Sequence, residues 1–244
     1  MPLLDALGEP HRPARADVRI VSLVPSLTEL LCDLGLAGSI VGRTGFCIHP
    51  REVVRGIPKV GGTKDVDVER VRALAPTHLL VNVDENERPA VDALRPHVGS
   101  VVVTHPIEVA DNFALYRLLG GIFRREEAAA RLEERLRAEL DAARSEAFEP
   151  LRVLYLIWRN PWMTVGASTY IARMLAEVGL EAVAPEDPAR YPQVDFDGFG
   201  PERFDAVLLS TEPYRFTDAH RHELLADPRL AGRPVRLIDG EMTS

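Results

Sequence analysis

Cys47 and His49 lie two positions apart in the stretch GFCIHP, residues 45–50. A thiol and an imidazole on one short segment admit three chemistries: nucleophile and base, paired metal ligands, or the wall of a binding pocket. A catalytic cysteine is expected on a strand–nucleophile–helix elbow, and none surrounds Cys47. A structural zinc site takes about four ligands, and no Cys cluster or paired His spacing accompanies this pair. A pocket wall is the economical reading, with His49 kept as a candidate single axial ligand to a chelated metal. The other histidine-rich stretch, HRH at 220–222, falls in an expected helix, where positions i and i+2 diverge, and reads as a solvated face.

The second chemically informative stretch is WRNPW at 158–162, which holds both tryptophans of the chain. Trp158 and Trp162 beside Arg159 suit a flat ligand that is partly apolar and partly anionic, by stacking and charge-assisted hydrogen bonding. The alternative is that one tryptophan plugs a core. Tyr191, Tyr214, Glu212 and Glu241 stand near other expected strand ends, each equally readable as an ordinary core or surface residue.

These residues sit in a chain of 244 residues, long enough for one large domain or two lobes. Lys and Arg number 29 against 37 Asp and Glu, a formal charge of -8, which argues against nucleic acid as the main partner. No apolar run approaches the roughly 18–20 residues of a membrane span. The N-terminal stretch lacks a secretory pattern, so the literal expectation is a cytoplasmic protein, or a periplasmic one if an export signal was removed upstream. Cys32 and Cys47 form no disulfide framework.

The elements that must position the candidates alternate strand and helix. Residues 1–16 read as a loose arm. Strands are expected at 18–24 (VRIVSLV), 39–42, 78–83 and 101–104, with helices from Leu27, over 67–74 and over 88–94. Ser26 and Glu29 have the spacing of a capping box for the first helix. From 109 to 147 the chain is helix-forming, broken at Gly120-Gly121; its second part would make a rigid helix roughly 33 Å long. Alternation then restarts, with strands at 151–157, 206–210 and 235–238 and helices at 170–178 and 219–226. The expected fold is α/β, with two lobes at 17–108 and 148–244. Each has a small, mainly parallel sheet flanked by helices, and the long helix joins them. The default ligand site is a cleft between lobes, lined by the segments at the C-terminal end of each strand. Those segments include Ser26 at a helix N-terminus, Phe46, Cys47 and His49, then Trp158, Arg159 and Trp162, and Glu212.

The run RIVSLVPSLTELLCDLGLAGSIVGRTGFCIHP, then IPKVGGTKDVDVERVRALAPTHLLV, the long central helix and YPQV at 191–194, together resemble the helical-backbone substrate-binding proteins of ABC importers. These are receptors for cobalamin, haem and iron–siderophores, and the chain looks closest to the cobalamin-binding branch. The resemblance spans about residues 19–242. It implies a non-catalytic, bilobed receptor with no cofactor of its own, whose ligand is a cobalamin, haem or ferric siderophore. It implies docking on an ABC permease through one acidic residue per lobe, at Glu69 and Asp197, and a corrin contact at Tyr191. In the turn of Gly62 and Thr63, threonine stands where the cobalamin binder has a tryptophan. A closing helix is expected after the last strand, where this chain ends at GEMTS. The alternatives are a cytoplasmic sensor or scavenger on the same fold, or an enzyme using Cys47 or His49 with Glu212 or Glu241 as acid or base.

Overall fold

The computed structural model describes residues 2–15 and 17–243. The chain forms two compact units, one from Met1–Pro106 and Ala110–Arg135, the other from Ile107–Val109 and Leu136–Ser244.

The first unit begins with β1 (Leu3–Leu4) and β2 (Pro10–His11), an antiparallel ribbon. Then come β3 (Ile20–Ser22), α1 (Pro25–Asp33), β4 (Ile40–Arg43), α2 (Arg51–Val54), α3 (Val68–Ala73), β5 (His78–Asn82), α4 (Arg88–Leu94) and β6 (Ser100–Thr104). The strands form a parallel sheet in the order β4-β3-β5-β6. Period-two alternation divides its side chains between two cores. Ile20, Leu80 and Val102 face one way, with α1, α5 (Asp111–Phe123) and the start of α6 (Glu126–Ser145). Val21, Leu79, Val81, Val101 and Val103 face the other, with α3 and α4. A sheet covered on both faces has no need of polar alternation, which is why its strands read as nearly continuous Val and Leu. Each fully buried Leu or Ile contributes roughly 1.5–3 kcal/mol.

Three expectations change here. Residues 2–15 are not a loose arm. Asp5 is buried, its Oδ1 accepting from the Leu7 and Glu9 amides and its Oδ2 from Val103 N–H at 3.1 Å, while Ala6 N–H donates to Val103 O at 2.9 Å. The ribbon thereby covers the edge strand β6; Met1 and Ala16, the remainder of that expected arm, lie outside the described residues. Helix α1 carries no side-chain cap: Pro25 takes the first helical position and Ser26 falls inside the helix, so the Ser26–Glu29 spacing is not a capping box. Finally, the break between α5 and α6 is at Arg124, in left-handed conformation at φ 55°, and not at Gly120-Gly121. Those glycines serve close approach instead. A Cβ on Gly120 would lie 2.6 Å from that of Ala129, and one on Gly121 would lie 2.5 Å from a Leu3 methyl. Residues 109–147 are therefore not a separate connector. Helix α5 supplies Leu115, Leu118, Leu119, Ile122 and Phe123 to the first core, and the division between units falls within α6.

The second unit contains β7 (Leu151–Trp158), β8 (Met163–Thr164), α7 (Tyr170–Ala176), β9 (Leu180–Ala182), β10 (Ala206–Ser210), α8 (Asp218–Leu225) and β11 (Val235–Ile238). Strands β11, β10 and β7 are parallel neighbours; β9 pairs in parallel with the start of β7 and β8 antiparallel with its end. One face packs α8 and the phenylalanines 196, 199, 204 and 216; the other packs α7. The Arg144–Glu177 ion pair, at 2.8 Å, ties the end of α6 to the residue after α7.

Candidate functional site

Parallel strands bring all their C-terminal ends to one edge, so the loops leaving them cluster there. In the first unit, the segment after β4 alternates in burial. Phe46 is 61% exposed and Ile48 49%, His49 is exposed, and Cys47 between them is completely buried. The Cys47 thiol accepts from Thr28 Oγ1 at 3.1 Å and lies 3.2 Å from Thr44 Oγ1; Thr28 Oγ1 is also 2.9 Å from Ser22 Oγ. Cys47 therefore anchors the loop from behind. It is neither part of an exposed wall nor accessible as a nucleophile, because a thiol without solvent access cannot meet a substrate. Phe46 and Ile48 face solvent on either side of Cys47, with His49 next to them.

The Gly61-Gly62 turn lies against this loop. Gly45 N–H donates to Gly61 O at 2.8 Å, and a Cβ on Gly62 would come within 3.3 Å of the Phe46 ring. Gly61 has φ 105° and a Cβ there would collide with Asp65 backbone, so this turn requires glycine. Thr63 is half-buried, and its carbonyl accepts from Asn86 Nδ2 at 3.0 Å. Asn86, buried, also donates to Leu23 O at 3.3 Å and accepts from Asn82 N–H at 2.9 Å. It ties three strand-end segments together, a role the sequence hinted at only by the position of DENE after β5. Another pair missed in the sequence, His105 after β6 and Asp84 after β5, stands 3.5 Å apart at this edge. The THP at the end of the β6 run was the available signal. Ser26 is exposed on the first turn of α1.

In the second unit the two tryptophans separate. Trp158 ends β7, is 41% exposed and meets Tyr214 edge-on. Trp162 is half-buried and stacks on Phe216, with planes 5° apart and centroids at 5.9 Å, so it takes the core-plugging role. Arg159 lies over Trp162 and donates to Glu223 Oε1 at 2.6 Å, so part of its hydrogen-bonding capacity is engaged on α8. Tyr214 is held in turn by His220: its hydroxyl is 3.3 Å from Nε2, while Nδ1 accepts from Thr217 N–H at 3.0 Å. His220 is thus a helix cap and not a solvated face, the first departure from the expected HRH pattern. Behind the TEPY segment, burial pushes the Tyr155 phenol above its ordinary value, and its hydroxyl donates to Ser210 Oγ, which donates to the Glu212 carbonyl. Glu212 and Glu241 are exposed. Tyr191 is half-buried and packs against the core of Val153, Tyr155 and Leu175 on the α7 side of this unit, whereas Tyr214 packs against the core of the other face.

The two sheets and their strand-end loops have a counterpart among known proteins: the sequence-family model described as periplasmic binding protein matches residues 20–234. The chain belongs to the periplasmic binding protein family. A curated relative of this periplasmic binding protein, the vitamin B12-binding protein of Yersinia pestis (strain Pestoides F), is 24% identical over 200 residues, 81% of this chain and 71% of that protein. Among solved structures, the periplasmic heme-binding protein from Roseiflexus sp. RS-1 in apo form aligns with TM-score 0.79 at 20% identity, covering 93% of this chain and 90% of that one. The periplasmic vitamin B12 binding protein of Vibrio cholerae aligns with TM-score 0.77 at 17% identity, covering 92% and 89%. These similarities establish the shared fold.

In this periplasmic binding protein the two acidic positions are both exposed. Glu69 lies in the first turn of α3, 3.7 Å from Arg72. Asp197 is 3.6 Å from Arg229, which Asp227 also holds at 2.7 Å and which lies over the Phe196 ring. Among the described residues, no group of three or more His, Cys, Asp or Glu could hold a metal ion, and no helix is long and apolar enough to cross a membrane.

Proposed function

We propose that this chain is the substrate-binding protein of an ABC-type importer and takes a corrinoid or another metal chelate at its strand-end loops. The observation that carries this reading is the set of large apolar side chains left facing solvent there: Phe46 and Ile48 in one unit, Trp158 in the other. Val83 after β5 and Met242 after β11 are exposed at strand ends as well, so a ligand with broad apolar faces is the natural cover for this apolar surface. The curated vitamin B12-binding relatives and the heme-binding structural neighbours support chelates of this class. Phe46 and Ile48 would cover an apolar face, Trp158 would stack, and Ser26, Gly62, Thr63 and Arg159 would supply polar contacts at the rim. His49 borders the ledge, where its imidazole is the candidate axial ligand to a chelated metal. The chelate is cargo, bound and released, and the protein works outside the cytoplasmic membrane. Glu69 and Asp197 would dock on basic residues of the permease, their charges surviving beside Arg72 and Arg229 because both pairs are solvated.

The test is capture of the native ligand. Affinity purification from cell extract, with an absorption spectrum of the product, should return a coloured chelate with the protein. A colourless protein from extract containing corrinoids, haem and ferric siderophores contradicts the reading.

A further inference from the structure

Arg43, the last residue of β4, is 6% exposed, yet its guanidinium binds only backbone carbonyls. Nε and Nη2 both donate to Val54 O, at 3.2 and 3.0 Å, and Nη1 donates to Thr44 O at 3.0 Å. Among the described residues, no carboxylate pairs with it. A buried cation without a counter-charge is costly, and an apolar side chain would fill the same space with less desolvation. Stability therefore gives no account of an arginine here, whereas its two acceptors do. Thr44 and Val54 are the two ends of the loop that carries Phe46, Ile48 and His49. Val54 also ends α2, where carbonyls lack partners within the helix and a cation is favoured. The backbone of Arg43 is fixed as well, by Arg43 N–H to Pro58 O at 3.0 Å and Val60 N–H to Arg43 O at 2.9 Å. The planar fork of a guanidinium can span two such carbonyls at once; an ammonium cannot reproduce that geometry.

We infer that Arg43 is a positioning residue: it clasps both ends of the 44–54 loop and holds Phe46, Ile48 and His49 in ligand-ready arrangement before a chelate arrives. This rests on the reading that these loops take the ligand. Its energetic role is preorganisation, because a loop already in its bound shape loses less entropy on binding.

Hydrogen exchange on the ligand-free protein tests the clasp without reference to any ligand. The amides of Gly45, Cys47, Val53 and Val54 are hydrogen-bonded and serve as probes. In R43K and R43Q these amides should exchange roughly 10-fold faster or more, while those of β5 and β6 keep their protection. Unchanged loop exchange in either folded variant overturns the inference. For whichever of cyanocobalamin and hemin the wild type binds, both variants should bind roughly 10-fold more weakly. A loosened loop with unchanged affinity also overturns it. If the wild type binds neither probe nor any of a panel of other corrinoids and ferric siderophores, the reading of function fails, and the exchange data still decide the clasp. If neither variant folds, the Arg43 Nε–H of the wild type decides: slow solvent exchange by NMR is expected, and exchange at the rate of a free guanidinium refutes the clasp.

Discussion

The indole of Trp158 and the ring of Tyr214 meet in a T-shaped pair, with centroids 5.5 Å apart and planes at 72°, and Trp158 remains 41% exposed to solvent. Trp162, four residues on, instead stacks into the core on Phe216. The two tryptophans should therefore separate by experiment. Trp158→Ala should weaken chelate binding by about 1–2 kcal/mol, roughly 10-fold, with little change in unfolding free energy. Trp162→Ala should cost roughly 3 kcal/mol of stability in denaturant unfolding. Equal stability losses in the two variants would remove the distinction.

Cys47 is sealed behind Thr28 and Thr44. In the native protein an aromatic disulfide reagent should leave it unmodified until denaturant is added. Cys32 should also react slowly, because burial, then Asp33 and Glu29, raise its thiol pKa above the ordinary value. Cys47→Ala should cost about 1 kcal/mol of stability through the lost hydroxyl–thiol contacts and should retain chelate binding. Rapid labelling of Cys47 would contradict the buried geometry.

His78 opens β5, edge-on to Phe123, and its pKa is lowered from 6.5 to about 4, first by burial and then by the nearby His11. Between pH 6.5 and about 4 the unfolded chain accepts a proton that the folded chain excludes. Stability from this residue is present in full above pH 6.5 and is lost as pH falls through that window. Denaturant midpoints measured across this range should fall with acidity, less steeply in His78→Gln. A folded-state NMR titration of His78 near 6.5 would contradict its buried, neutral form.

Asp5 satisfies three backbone amides and stands 3.2 Å from His11 Nε2. Replacing it with alanine should strand those donors and release the ribbon from β6, costing about 2–3 kcal/mol. Exchange of the Ala6 and Val103 amides would rise together. A neutral effect on stability would mean that the ribbon adds nothing to the first unit.

The sheets were legible because strands buried on both faces are written as runs of Val, Ile and Leu, and β10 and β11 fall where those runs do. The N-terminal ribbon was not, because each strand is only two residues long and its anchor is the distant amide of Val103. Gly120-Gly121 misled for a related reason. Glycine permits a helix break, but it equally permits the close approach of Ala129 and Leu3, and only packing tells which. Within the candidate site, residue type located the loops after β4 and β7. It could not say that Cys47 turns inward between exposed neighbours, that Trp162 rather than Trp158 enters the core, or that Tyr191 packs on the opposite face of its unit. Arg43 was invisible and Asn86 only hinted at, for the same reason: their importance lies in backbone carbonyls that only the folded chain brings within reach.

The most direct test is an equilibrium titration of the purified chain with cyanocobalamin and with hemin, monitored by tryptophan fluorescence and by absorption. At least one should bind at micromolar or tighter affinity and quench emission, with most of the quenching lost in Trp158→Phe. Absence of binding to these probes and to a panel of other corrinoids and ferric siderophores would contradict the account.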